Sequence, residues 1–278
     1  MALNLNEQNL TRIKVEGNSL KCYRENELLR VCSLKNVTSL ACSNNRLSNL
    51  PDTLPKELKE LYCYGNQLTS LPDTLPEGLK TLWCSDNQLT SLPDTLPEGL
   101  EELYCSVNQL TSLPDTLPGR LENLACSDNQ LTSLPDTLPE GLKTLYCSDN
   151  QLTSLPDTLP GGLETLQCSD NQLTSLPNTL PGGLKILQCF NNQLTSLPDT
   201  LPERLKVLDC FNNPLRYVPF FPKRPNILSV PEKFEKKHYV KRYSEYYEKQ
   251  QRNRNLLQLF FSEMGFSEDF LELELGRD

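Results

Sequence analysis

Residues 79–99 read Leu79-Lys80-Thr81-Leu82-Trp83-Cys84-Ser85-Asp86-Asn87-Gln88-Leu89-Thr90-Ser91-Leu92-Pro93-Asp94-Thr95-Leu96-Pro97-Glu98-Gly99, and most of the chain is copies of this 21-residue unit. Cysteine recurs at Cys42, Cys63, Cys84, Cys105, Cys126, Cys147, Cys168, Cys189 and Cys210, always 21 residues after the one before. An asparagine follows three residues later every time, from Asn45 to Asn213. Nine units held in one phase define a true period. A period between about 20 and 50 residues is the mark of a stacked-repeat architecture.

Within a unit the order is L-x-x-L-x-C-x-x-N-x-L-x-x-L-P-x-x-L-P-x-x. The first part ends in the alternation of a short strand: Leu61 and Cys63 point inward and Tyr62 outward. The second part, such as Leu71-Pro72 and Leu75-Pro76, suits neither helix nor strand interior. Proline lacks an amide donor and disfavours the helical region for its predecessor. An extended, polyproline-like return fits it. Each unit is therefore a coil with one strand and a helix-poor back. A lone coil leaves both flanks of its leucine layer wet; stacking dries them and closes a parallel ladder along the array. Nine strands about 4.8 Å apart give a sheet on the order of 40 Å long.

The L-x-x-L-x-[L/C]-x-x-N-x-L core, with L-P doublets such as Leu92-Pro93 and Leu96-Pro97, resembles the leucine-rich repeat in its bacterial LPX subtype over about residues 37–222. That subtype is found in secreted effectors of Gram-negative pathogens, among them YopM-like proteins and IpaH-type ubiquitin ligases. The resemblance implies a right-handed solenoid with a parallel sheet on its concave side and a helix-poor convex side. It also implies an effector that reaches the host cytoplasm by a non-classical route. The IpaH-type ligases carry a large catalytic domain, with a cysteine nucleophile, after their repeats. Here 56 residues follow Pro222 and none is cysteine. The chain looks more like the repeat-only scaffolds, and no enzymatic activity is expected.

Composition agrees with a thin solenoid. Hydrophobic residues make up only 37% of the chain, which suits a single-file core. No apolar run is long enough to span a bilayer, so no integral membrane association is expected. The opening residues, Met1-Ala2-Leu3-Asn4-Leu5-Asn6-Glu7, have neither a basic stretch nor an apolar core, so no cleaved secretory signal is expected. Of eleven cysteines, nine occupy one inward-facing position beside leucines, where cysteine behaves as a small hydrophobe. Thiols in a reducing, intracellular compartment are expected rather than disulfides. A straight row of sulfurs does not surround a point, so no metal or cofactor is expected.

The net charge of −9 argues against a nucleic-acid binder. Its distribution is uneven. Residues 223–254 hold ten Lys/Arg against four Glu, and residues 255–278 hold one Arg against six acids, which leaves −10 on residues 1–222.

The two ends differ from the repeats. In residues 1–36, Ile13 and Val15 alternate, Gly17-Asn18 reads as a turn, and Leu20 and Cys22 alternate again, as in a hairpin. A β-rich N-terminal cap over the first leucine layer is expected. Beyond the nine repeats of residues 37–222, Ser229-Val230-Pro231-Glu232 fits a capping box. Residues 223–278 are expected to form a helical C-terminal cap. The alternative role for that tail is a docking segment, through its basic face with Tyr239, Tyr243, Tyr246 and Tyr247.

Function is expected at the outward strand positions. One residue before each cysteine the chain reads Ala41, Tyr62, Trp83, Tyr104, Ala125, Tyr146, Gln167, Gln188 and Asp209. Exposed Tyr and Trp are enriched in binding hot spots. The row two residues earlier supplies Glu60 and Glu102, the row after the cysteines supplies Tyr64, and Asp86 stands with Asp128, Asp149 and Asp170 on an acidic edge. The expected partner-binding set is thus Tyr62, Trp83, Tyr104, Tyr146, Gln167, Gln188, Tyr64, Glu60, Glu102 and Asp86. A plainer reading, compatible with this, is that cross-strand aromatics stabilise the sheet. The repeated asparagine reads as structural, its amide bonded to backbone of its own and the neighbouring turn. The sole histidine, His238, has no evident nucleophile partner. The expectation is a scaffold that binds a host protein through its concave face. The alternative is a substrate-recognition adaptor or subunit of a ubiquitin ligase, using the C-terminal tail to recruit the machinery.

Overall fold

The computed structural model of the protein describes residues 1–215 and the backbone of residues 226–229. Its secondary structure is β throughout, with no helix among the described residues. The expected helix from about Val230, and the tyrosines and His238 of the tail, lie outside these residues.

Each repeat contributes one strand of three residues, ending just before its cysteine. These are β5 (Ser39–Ala41), β6 (Glu60–Tyr62), β7 (Thr81–Trp83), β8 (Glu102–Tyr104), β9 (Asn123–Ala125), β10 (Thr144–Tyr146), β11 (Thr165–Gln167), β12 (Ile186–Gln188) and β13 (Val207–Asp209). Neighbouring strands pair parallel and in register, so Glu60, Leu61 and Tyr62 stand beside Thr81, Leu82 and Trp83. β1 (Ala2–Asn4) pairs with β5, and β14 (Asn226–Ser229) pairs with β13 through an irregular register. The result is one eleven-stranded sheet in the order β1-β5-β6-β7-β8-β9-β10-β11-β12-β13-β14.

A second, antiparallel sheet is built from β2 (Arg12–Glu16), β3 (Ser19–Arg24) and β4 (Glu27–Ser33). β2 and β3 form a hairpin around Gly17-Asn18, with Ile13 opposite Cys22 and Val15 opposite Leu20. Leu3, Leu5, Leu10, Ile13, Leu20 and Cys22 join the same continuous core as the repeats.

The core follows the sequence period. In the unit that starts at Leu58, the side chains of Leu58, Leu61, Cys63 and Leu68 are fully buried. Leu71 and Leu75, each ahead of a proline, close the far side at 6% and 9% exposure. The chain then turns back: Leu79 N–H donates to the Pro76 carbonyl at 2.9 Å, and the same bond recurs in each later unit. This is a β-turn carried by the Pro-x-x-Leu spacing.

The repeated asparagine explains how the short strand ends. Asn129 Oδ1 accepts from Leu110 N–H at 2.9 Å, while its Nδ2 donates to the carbonyls of Cys105, Cys126 and Ser127 at 3.0–3.1 Å. A bend after three residues leaves these backbone groups without a ladder partner, and buried groups of this kind need one. Asn45 does the same for the N-terminal segment, accepting from Gln8 and Leu10 N–H and donating to the Leu5 carbonyl.

One residue earlier the backbone enters the left-handed region. Asn44, Asp86, Asp128, Asp149, Asp170, Asn191 and Asn212 all have φ between +50° and +54°, and Gly65 has +64°. Asp, Asn and Gly are the residues that tolerate this conformation. Val107, at φ +53°, is the exception.

All eleven cysteines are buried thiols. Burial pushes the Cys42, Cys84, Cys168 and Cys210 thiols up to about 12. Such thiols are inert packing groups rather than nucleophiles.

Candidate functional site

The alternation that buries Leu61 and Cys63 turns Tyr62 and Glu60 outward, and the parallel register stacks each outward position into a row. Tyr62, Trp83, Tyr146, Gln167 and Gln188 are half-buried on the open face of the sheet. Tyr62 meets Trp83 edge-on, with ring centroids 4.9 Å apart at 83°. Trp83 lies against Tyr104 at 5.3 Å and 56°, and against Tyr64 at 6.5 Å and 48°. The four rings form one contact cluster over β6, β7 and β8. Tyr146, Gln167 and Gln188 follow in the same row beyond Ala125.

Tyr104 departs from the expectation of an open ring. It is only 9% exposed, and Ala125 beside it is 1% exposed. A row position sets which way a ring leaves the backbone. How much of it water reaches depends on its neighbours, and here the indole of Trp83 covers one side of Tyr104.

The cluster is bounded by carboxylates. Trp83 Nε1–H donates to Glu102 Oε2 at 3.3 Å. Burial raises the Glu102 carboxyl above its ordinary value; the indole bond pulls it down, while Glu101, Glu60 and Glu122 add further upward pressure. Burial, then Glu60 and Glu102, push the Tyr62 hydroxyl up to about 12. Tyr64 is raised by burial and by Glu7. The rings therefore sit in a negative field.

The two edges of the face differ. On one edge Lys80 pairs with Glu101, Lys143 with Glu122 and Lys185 with Glu164, each at 2.6 Å across adjacent coils. On the other edge run the aspartates. Asp86 is exposed and raised by desolvation, and Asp170 Oδ1 accepts from Asn191 Nδ2 at 2.6 Å. The row after the cysteines is mixed. Ser43, Ser85, Ser106, Ser127 and Ser169 are buried, Ser148 and Phe190 are half-buried, Phe211 is exposed, and Tyr64 brings its ring against Trp83. The pattern of small residues there was the available signal for a covered position. The indole-to-carboxylate bond had none, since it joins residues 19 apart.

Among the described residues no group of three or more His, Cys, Asp or Glu could hold a metal ion. No helix among them is long and apolar enough to cross a membrane.

Comparison with known proteins agrees with this geometry. Residues 56–98 match a model of two leucine-rich repeats, and residues 141–161 match a further leucine-rich-repeat model. The chain is 36% identical to YopM, a leucine-rich effector protein from Yersinia pestis, over 72% of this chain and 56% of that one, with a TM-score of 0.66. It is 32% identical to the functional domain of InlJ from Listeria monocytogenes, which includes a cysteine ladder, over 67% of this chain and 44% of that one, with a TM-score of 0.62. The chain thus spans about half the length of these two structures. A comparison with curated proteins finds no match. The coil is a leucine-rich-repeat solenoid, and its likeness to YopM and InlJ supports a bacterial protein of that class.

Proposed function

We propose that the chain is a non-enzymatic interaction scaffold of the bacterial LPX subtype, an effector that binds a host protein through the open, concave face of its sheet. The observation that carries this reading is the ring cluster of Tyr62, Tyr64, Trp83 and Tyr104. Three of its four members remain half-open to solvent. A ladder of mutually packed rings is rigid before binding and loses little entropy on contact. The eleven buried thiols support work in a reducing compartment, the host cytoplasm, reached by a non-classical route. In this reading β2, β3 and β4 cover the first leucine layer.

Affinity capture from host-cell lysate tests it, with the wild type and a Tyr62→Ala/Trp83→Ala/Tyr146→Ala variant side by side. Loss of hot-spot aromatics costs about 2 kcal/mol or more, so recovery of a partner falls more than about tenfold. Equal recovery by both proteins rejects the face as the binding surface.

A further inference from the structure

Among the described residues, the open face carries carboxylates and no cation. The outward rows of β5–β13, together with the position after each cysteine, hold Glu60, Glu102 and Asp209 and neither lysine nor arginine. The row two residues after the cysteines adds Asp86, Asp128, Asp149 and Asp170, again without a basic residue. One row further out stand Lys59, Lys80, Lys143, Lys185 and Lys206; of these, Lys80, Lys143 and Lys185 are held by Glu101, Glu122 and Glu164.

Two of these carboxylates flank the indole. β6 and β8 are the neighbours of β7, so Glu60 and Glu102 lie on either side of the Trp83 strand, about 10 Å apart along the ladder. A carboxylate offers about four acceptor sites, and the bond from Trp83 to Glu102 uses one. Both glutamates are half-buried. An ion pair made in that setting is stronger than one on an open surface. Aromatic faces beside carboxylates suit a guanidinium above other cations. It is planar, stacks on rings, and presents a fork of donors to a carboxylate.

Resting on the scaffold reading above, we propose that the face over β6, β7 and β8 is a docking site for an extended, arginine-bearing segment of the partner protein. Its guanidinium groups pack on Trp83 and Tyr62 and pair with Glu60 and Glu102. A polyproline-like segment places every third side chain on one face, about 9 Å apart. Arginines at that spacing reach both glutamates at once.

Trp83 is the only tryptophan of the chain, so its emission reports on this site in the full-length protein. The probes are a short Pro/Ser peptide with arginine at every third position and the same peptide with glutamate there. The arginine peptide should shift Trp83 emission with a saturable curve, and the glutamate peptide should not. Added salt should weaken the binding. The Glu60→Gln/Glu102→Gln variant, which keeps an acceptor for the Trp83 indole, should bind at least about tenfold more weakly, with an unchanged circular dichroism spectrum. An emission indifferent to the arginine peptide up to millimolar concentration would overturn the proposal. So would equal affinity in the glutamine variant. If the arginine peptide binds only after the Lys/Arg residues of 223–254 are replaced, the occupant is the chain's own basic segment and the partner assignment is wrong. Host-protein capture that needs Tyr62 and Trp83 but ignores Glu60 and Glu102 would leave the scaffold reading intact and sink this one alone.

Discussion

Val107 is the residue at which the repeat breaks its own rule. Eight coils place Asp, Asn or Gly two residues after the cysteine, and this one places valine at φ +53°. A left-handed L-residue costs roughly 1–2 kcal/mol, and a branched β-carbon makes it worse. Val107→Asn should therefore raise stability by about 1 kcal/mol. A shift of the urea midpoint to higher concentration at constant slope would show it; an unchanged or lower midpoint would refute the strain. At this scale the sequence was informative wherever the period constrains a residue. The inward cysteines and the asparagine amides follow from alternation and from the need to satisfy a bend. The burial of Tyr104 does not, because it depends on what the neighbouring coil presents.

Stacking elements in register also stacks their charges. Asp128, Asp149 and Asp170 occupy one row on three successive coils. Desolvation, then Asp128 and Asp170, push the Asp149 carboxyl from its ordinary 3.8 up to about 6. A raised carboxyl means that the fold favours the protonated form. The associated stability is fully present below about 3.8 and is lost as pH rises through about 6. Asp149→Asn removes the charge and keeps a residue suited to the left-handed turn, as Asn191 and Asn212 are. The side chain is exposed by area, so solvent screening limits the gain to about 1 kcal/mol at pH 7. Thermal melts of both proteins should differ above about pH 6, where Asp149 is ionised in the fold, and converge below about pH 3.8, where it is protonated in both states. A difference that persists unchanged with pH would show that charge is not its cause. This row was visible in the sequence as an acidic edge, but its left-handed backbone was not, since a period locates residues without giving their dihedrals.

For the whole molecule, the period predicts modularity. Each coil bonds to the coil before it and the coil after it, so removing one whole unit leaves every remaining interface of the same kind. Deleting residues 121–141 joins Arg120 to Leu142 and sets Glu101 beside Lys143 in the charged row. The shortened protein should keep its β circular dichroism and lose about 5 Å of length by small-angle scattering. An unfolded or aggregated product would mean that the coils are not interchangeable.

The sequence by itself determined the coil, its strand, its proline-bearing back and the side of each residue, because a fixed 21-residue period leaves one way to bury every leucine layer. Only the tertiary structure decided which outward residues meet. It closed the rings of Tyr62, Tyr64, Trp83 and Tyr104 into one cluster, set the indole on Glu102 and buried Ser43, Ser85, Ser106, Ser127 and Ser169. Those outcomes depend on side-chain direction and on contacts between coils, and a repeat that is nearly the same in every coil carries almost no information about either.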